Sequence, residues 1–190
     1  MLAKLSDLLQ RYTKGWLIFL LLLLNGLFMG MILPMTRALL KDDTGRTGPI
    51  DLLLFYTPPR VYQMIAAYGP YGRAFYRKVE LSVDIVYPVL YTLLLGLLLG
   101  WLLQRAFRAE SAMQKLNVVP FGAWLFDLLE NIGIVSMLSV HPSTPVLLAW
   151  LTALCTLLKW IFVGASAALI LIALVLAIRN GFRRQAPASS

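Results

Sequence analysis

Long apolar runs with few charges alternate with short basic stretches along the chain. Trp16 to Met35, Ser82 to Leu103, Val118 to Val140 and Val146 to Ile178 form four such runs. About 20 apolar residues, rising 1.5 Å each, cross the roughly 30 Å hydrocarbon layer of a bilayer, and each run reaches that length. The pattern predicts an all-α polytopic membrane protein: four transmembrane helices in a bundle, as a single domain over residues 1–190. Ahead of the first run, Leu2, Leu5, Leu8 and Leu9 recur at helical spacing with Lys4, Asp7, Gln10, Arg11 and Lys14 between them, which predicts an amphipathic helix at the interface. The first run has no small-residue cleavage site, so it reads as a span and not as a signal peptide.

The longest connection, Thr36 to Leu81, is expected to be structured over residues 51–80. It opens on polar, irregular chain (Lys41 to Pro49). Thr57 then stands where a helix cap would, before Pro58 and Pro59. A helix follows over Arg60 to Ala67, Tyr68-Gly69-Pro70-Tyr71-Gly72-Arg73 breaks it, and Ala74 to Glu80 leads into the second span. This segment is too aromatic for a floating linker and is expected on the membrane surface or over the end of the bundle. In the second span Gly96 and Gly100 form a small-xxx-small pair suited to close packing against another helix. The fourth run exceeds about 30 residues, so it must tilt, bend or project beyond the bilayer. Residues 185–190 read as a disordered tail, and no internal repeat is visible.

Composition agrees with the pattern. Of 190 residues, 59% are hydrophobic and 14% charged, with a mean hydropathy of +0.76; an ordinary soluble domain carries about a quarter charged residues. The net charge of +8 would suggest nucleic acid in a soluble protein. Here the basic residues crowd the ends of the spans, where they meet lipid headgroups, and no basic helix with interleaved stacking aromatics stands apart from the membrane. Three basic residues precede the first span (Lys4, Arg11, Lys14), three lie between spans two and three (Arg105, Arg108, Lys115), three close the chain (Arg179, Arg183, Arg184), and the turn between spans three and four has none. The positive-inside tendency then places both termini in the cytoplasm, in an inner or plasma membrane, although the first loop carries seven basic residues against it. Cys155 and His141 are the sole cysteine and histidine, so an intrachain disulfide, a cysteine metal site and a bis-histidine haem are excluded within one chain. No cofactor and no metal are called for.

Charges placed in the hydrocarbon layer are costly unless they face a partner or water, and each marks a candidate site. Asp84, Asp127, Glu130 and Lys159 are such residues. Asp127, Glu130 and Asn131 stand at i, i+3 and i+4, on one face of the third span. Counted from the turn at His141 to Pro145, Glu130 and Lys159 sit at depths of roughly 15 and 20 Å, which predicts that Lys159 pairs with Glu130 or Asp127. Such a pair can simply fix helix register. Two carboxylates against one lysine nevertheless leave an unmatched negative charge. Asp84, in the first turn of the second span, follows Arg73 and Arg77 at spacings that suggest an ion pair; alternatively, Arg73 binds an anionic headgroup in an outward pocket roofed by the tyrosine- and glycine-rich segment.

Tyr56-Thr57-Pro58, Tyr68-Gly69, Gly72-Arg73, Tyr76, Asp84, Tyr87-Pro88 and Asp127-x-x-Glu130-Asn131 together resemble a group of small bacterial four-helix membrane proteins without assigned activity. The resemblance covers roughly Asp51 to Val140 and implies the architecture without a reaction. A looser likeness to a sterol-isomerase-like four-helix fold stops at the intramembrane histidine that such a fold uses, which this chain lacks. The expected function is binding of a lipid headgroup, small amphiphile or ion, or docking of a partner, through Arg73, Asp84, Asp127, Glu130, Asn131 and Lys159. The alternative is a membrane-embedded enzyme with Asp127 or Glu130 as general acid or base on a lipid-like substrate. Membrane lipids are the expected partners, nucleic acid is not, and a homo-oligomer through the glycine-bearing span would supply eight spans to a transporter.

Overall fold

The computed structural model describes residues 2–40 and 48–185; the 186–190 part of the expected tail and the 41–47 part of the polar loop lie outside them. It is an all-α bundle. The helices are α1 (Leu2–Arg11), α2 (Gly15–Leu27), α3 (Leu33–Leu39), α4 (Pro58–Ala67), α5 (Gly69–Glu80), α6 (Val83–Ala106), α7 (Pro120–Val140) and α8 (Val146–Gln185). Four helical stretches are long and apolar enough to cross a membrane: Gly15–Thr36, Gly69–Ala106, Ala112–Val140 and Val146–Gly181.

The helices α6, α7 and α8 pack mutually and form the centre, while α2 leans on α6. The α2 helix offers the bundle a narrow face, Ile18, Leu21 and Asn25, and leaves much of its surface bare. Past Leu27 the first span widens by one residue over Phe28–Ile32, where the Leu33 N–H donates to the Phe28 carbonyl five residues back. Pro34 explains the widening: its ring crowds the carbonyl four residues earlier and it has no N–H to donate. The α8 helix runs unbroken for 40 residues, about 60 Å at 1.5 Å per residue, so the excess length projects. Near its far end Asn180 Nδ2 donates to the carbonyls of Arg105 and Ala106 and closes the C-terminus of α6.

The first loop does more than lie on the surface. Tyr62 Oη donates to the Pro145 carbonyl, tying α4 to the turn between the last two spans. Ahead of α4 a single 3-10 turn, Ile50–Leu52, and Leu53 after it enter the bundle, and carbonyls there are met by side chains of α8: Lys159 Nζ donates to Asp51 O at 2.9 Å and Trp160 Nε1 to Leu53 O at 2.9 Å. Backbone outside an α-helix is tolerated at that depth because protein donors replace water. Tyr76 completes the seat. Its hydroxyl is fully buried, accepts from the Ile50 N–H at 2.8 Å and donates to Asp51 Oδ1 at 2.6 Å.

Several local expectations change. Thr57 occupies the N-cap of α4 without making a side-chain cap bond, because Pro58 and Pro59 leave its first positions without N–H donors. The break after α4 shrinks to the junction at Tyr68 and Gly69, where Gly69 has a φ of +63° that only glycine adopts easily; Pro70 lies in the first turn of α5, and Tyr71-Gly72-Arg73 is helical. The Gly96 and Gly100 face is filled from within the chain. A Cβ on Gly96 would lie 3.2 Å from the Asn117 carbonyl, and one on Gly100 would lie 3.1 Å from Thr13 Cγ2. The occupants are the short helical turn Ala112–Val118 and the α1 region, joined by bonds from Asn117 Nδ2 to Ser6 O and from Gln10 Nε2 to Gln114 O. This face is therefore closed to a second copy of the span.

At Gly133 α7 packs so tightly on α8 that a Cβ would collide with the buried Thr152 side chain. Gly133→Val is expected to lower stability by about 1–3 kcal/mol through overpacking. The same change at Gly164, which faces open space, is expected to be near neutral in thermal unfolding of the detergent-solubilised protein.

Candidate functional site

The third span brings Asp127, Glu130 and Asn131 inward together, and all three are buried. From α8, Lys159 meets them. Its ammonium lies 2.5 Å from Glu130 Oε2 and 3.7 Å from Asp127 Oδ1. It also donates a hydrogen bond to the Asp51 carbonyl, so three oxygen groups surround it. Thr156, one turn before Lys159 on the same face, donates to Glu130 Oε1 at 2.7 Å, and Tyr56 Oη lies 3.4 Å from that Thr156 hydroxyl. Glu130 is thus fully enclosed by its partners, at 0% exposure.

Asp127 and Asn131 have a second neighbour, α6. Tyr91 Oη donates to Asp127 Oδ2 at 2.7 Å. Asn131 Nδ2 donates to the Asp84 main-chain carbonyl at 2.6 Å. That carbonyl lies four residues before Pro88, which has no N–H to give it, so Asn131 satisfies an acceptor that the proline leaves open. One polar bond therefore both repairs α6 and fixes its register against α7.

Between these residues and the first span lies a cavity of about 650 Å³. Asp51, Asp84, Asp127, Asn131 and Lys159 supply its polar lining. One wall is the first span, through Leu22, Asn25, Gly26, Met29 and Leu33; the facing wall is Trp160 and Val163 of α8, and Tyr87, Tyr91 and Leu94 of α6 join them. Tyr91 precedes Trp101, an interfacial anchor type, by ten residues, so the Asp127 level lies about 15 Å into the layer. Glu130 does not line this space. The acidic pair that looks equivalent in sequence is therefore divided: Glu130 is sealed in an ion pair, while Asp127 reaches the cavity.

Arg73 stands apart from the other five residues singled out in the sequence. Its guanidinium donates to the Ile65 carbonyl at 3.3 Å and ties α5 back to α4, and Arg77 points to Ser139 Oγ at 3.5 Å. Among the described residues neither arginine forms an ion pair with Asp84. The reason is geometric: the chain turns at Leu81 and Ser82, where Ser82 has φ −131° and ψ −75°, so helical spacing counted through that point places nothing on a common face.

Residues that the sequence pattern passed over also belong here. Asp51 and Tyr76 come from the loop, Tyr91 from α6 and Thr156 from α8, and Glu80 is 1% exposed with neither carboxylate oxygen hydrogen-bonded among the described residues. Only Glu80 carried a usable signal, since an acid in the last turn of a helix opposes the macrodipole and asks for a reason. Among the described residues no group of histidine, cysteine, aspartate and glutamate is arranged to hold a metal ion.

Removing one member of a buried ion pair leaves the other uncompensated, at about 3–5 kcal/mol, whereas replacing both by apolar side chains costs far less. Lys159→Met and Glu130→Leu are each expected to lower the unfolding temperature sharply, and the double variant to recover much of the loss. Additive losses in thermal unfolding would contradict the sealed pair.

No protein-family model, no curated protein and no solved structure matches the chain.

Proposed function

We propose that this protein binds an amphiphile from the bilayer in the cavity behind its first span, with the polar head of the ligand at Asp84, Asp127 and Asn131 and its apolar part along Leu22, Met29 and Leu33. The observation that carries this reading is the cavity's lining: a few polar side chains, Asp84, Asp127 and Asn131 among them, in an otherwise largely apolar wall. A site of roughly 300–1,000 Å³ that is mostly apolar with a few convergent polar groups is the general form of a small-molecule pocket. The loosely packed first span, widened at Phe28–Ile32, gives such a ligand a route from lipid without unpacking α6, α7 and α8. If the site performs acid–base chemistry instead, the geometry gives that work to Asp84 and Asp127, since Glu130 has no face toward the cavity.

We also place the protein in an inner or plasma membrane with both termini cytoplasmic, on the distribution of basic residues around the spans. The 48–80 segment, bonded to the turn at Pro145, then closes the outer end of the bundle.

Two measurements test this. Gly26 lines the cavity, and a Cβ placed on it would meet nothing within 4 Å, so Gly26→Trp should fill the space without disturbing the packing. In native mass spectrometry of the detergent-purified protein, the amphiphile adduct is expected to fall about tenfold in Gly26→Trp and to persist in Gly164→Trp; an equal adduct in both rejects the cavity as the site. For topology, single cysteines are placed at Glu110 and Ser143 in a Cys155→Ser background. A membrane-impermeant maleimide applied to intact cells should label the Ser143 position and spare the Glu110 position, and the reverse pattern would invert the proposed orientation.

A further inference from the structure

The cavity's charged lining is weighted toward acceptors, three aspartates against one lysine among the described residues. Lys159, the single basic residue among the described residues lining it, donates to the Asp51 carbonyl and is ion-paired with Glu130 and Asp127, so its charge is already engaged. The Tyr91 hydroxyl is given to Asp127, the Trp160 indole N–H to Leu53 O and the Asn25 amide N–H to Leu21 O. What remains open is of the other kind. The Asp84 carboxylate makes no hydrogen bond or ion pair among the described residues. Asn131 lines the cavity at 5% exposure, and its Oδ1 has no hydrogen-bond partner among the described residues. Its other amide end is held by the Asp84 carbonyl, so the oxygen cannot exchange places with the nitrogen to seek a donor elsewhere.

Charge points the same way. Three aspartates line the space, and the one lysine among them is already shared with the sealed Glu130. An anionic headgroup would meet surplus negative charge and, among the described lining residues, no cation that is not already paired, the Tyr87 hydroxyl being a neutral donor. A protonated amine would meet an unpaired carboxylate and an unpaired amide oxygen.

Resting on the amphiphile-binding reading above, we propose that the head of the ligand is a cation bearing N–H donors: an amphiphile with a primary or secondary ammonium group, seated between Asp84 and Asn131. A quaternary ammonium would satisfy the charge and leave Asn131 Oδ1 unbonded. The chain carries the selectivity in two places, a carboxylate for sign and an amide oxygen for the proton.

The test uses the full chain in neutral detergent with three probes that share one brominated twelve-carbon chain and differ in the head: primary ammonium, hydroxyl and phosphate. Bromine quenches tryptophan at short range, and Trp160 lines the cavity, so quenching that Trp160→Phe lacks reports binding there. The ammonium probe is expected to bind about tenfold or more tightly than the other two, and Asp84→Asn, which keeps the shape of a side chain that no other group holds, is expected to remove most of that preference. The trimethylammonium analogue should bind more weakly than the primary ammonium, with the gap narrowed in Asn131→Leu. Equal binding of the three heads, or preference for phosphate, overturns the cationic assignment and leaves the amphiphile site standing. No Trp160-dependent quenching by any probe overturns the site itself.

Discussion

A positive charge held some 20 Å along α8 from the turn has no water to turn to, and the arrangement around Lys159 is organised by that fact. Its ammonium joins α8 to α7 through Glu130 and draws the Asp51 carbonyl down into the bundle. Trp160 anchors the neighbouring carbonyl, and Tyr76 secures the other side of the same short stretch. Buried ion pairs contribute little net stability compared with apolar packing, but they penalise every arrangement that separates them. Register between the last two spans and the depth of the inserted loop are thus set by one side chain.

The division between Glu130 and Asp127 follows from the helical repeat. Residues three apart on α7 differ in direction by about 60°, enough for one carboxylate to face α8 squarely and the other to face the space shared with α6. Glu130 is met by Lys159 and Thr156; Asp127 is met by Tyr91 and reaches the cavity. Structural and ligand-facing roles therefore sit side by side on one helix.

The transmembrane architecture was legible in the sequence because it rests on length and local hydropathy, and the ion pair was legible because a tight turn links the two spans and lets depth be counted from it. The i, i+3, i+4 face of Asp127, Glu130 and Asn131 followed from helical geometry alone. What stayed hidden depends on where a loop goes. Asp51 read as surface chain, and nothing local says that residues 50–53 descend to Lys159. The spacing from Arg73 and Arg77 to Asp84 misled for a similar reason, since the turn at Leu81 and Ser82 breaks the phase. Gly96 and Gly100 signalled close approach correctly but not the approaching group, which is Asn117 and the α1 region.

The third span holds Asp127, Glu130 and Asn131, and the strongly apolar fourth span brings the lysine that answers them. During synthesis the acidic helix reaches the insertion machinery before its counter-ion has been made. The uncharged His141-to-Pro145 turn keeps the two segments only five residues apart, so they can partition into lipid as one hairpin with the charges already matched. The last helix acts in this sense as an internal chaperone for the one before it, and a chain interrupted between them would leave its acidic segment poorly committed to the bilayer.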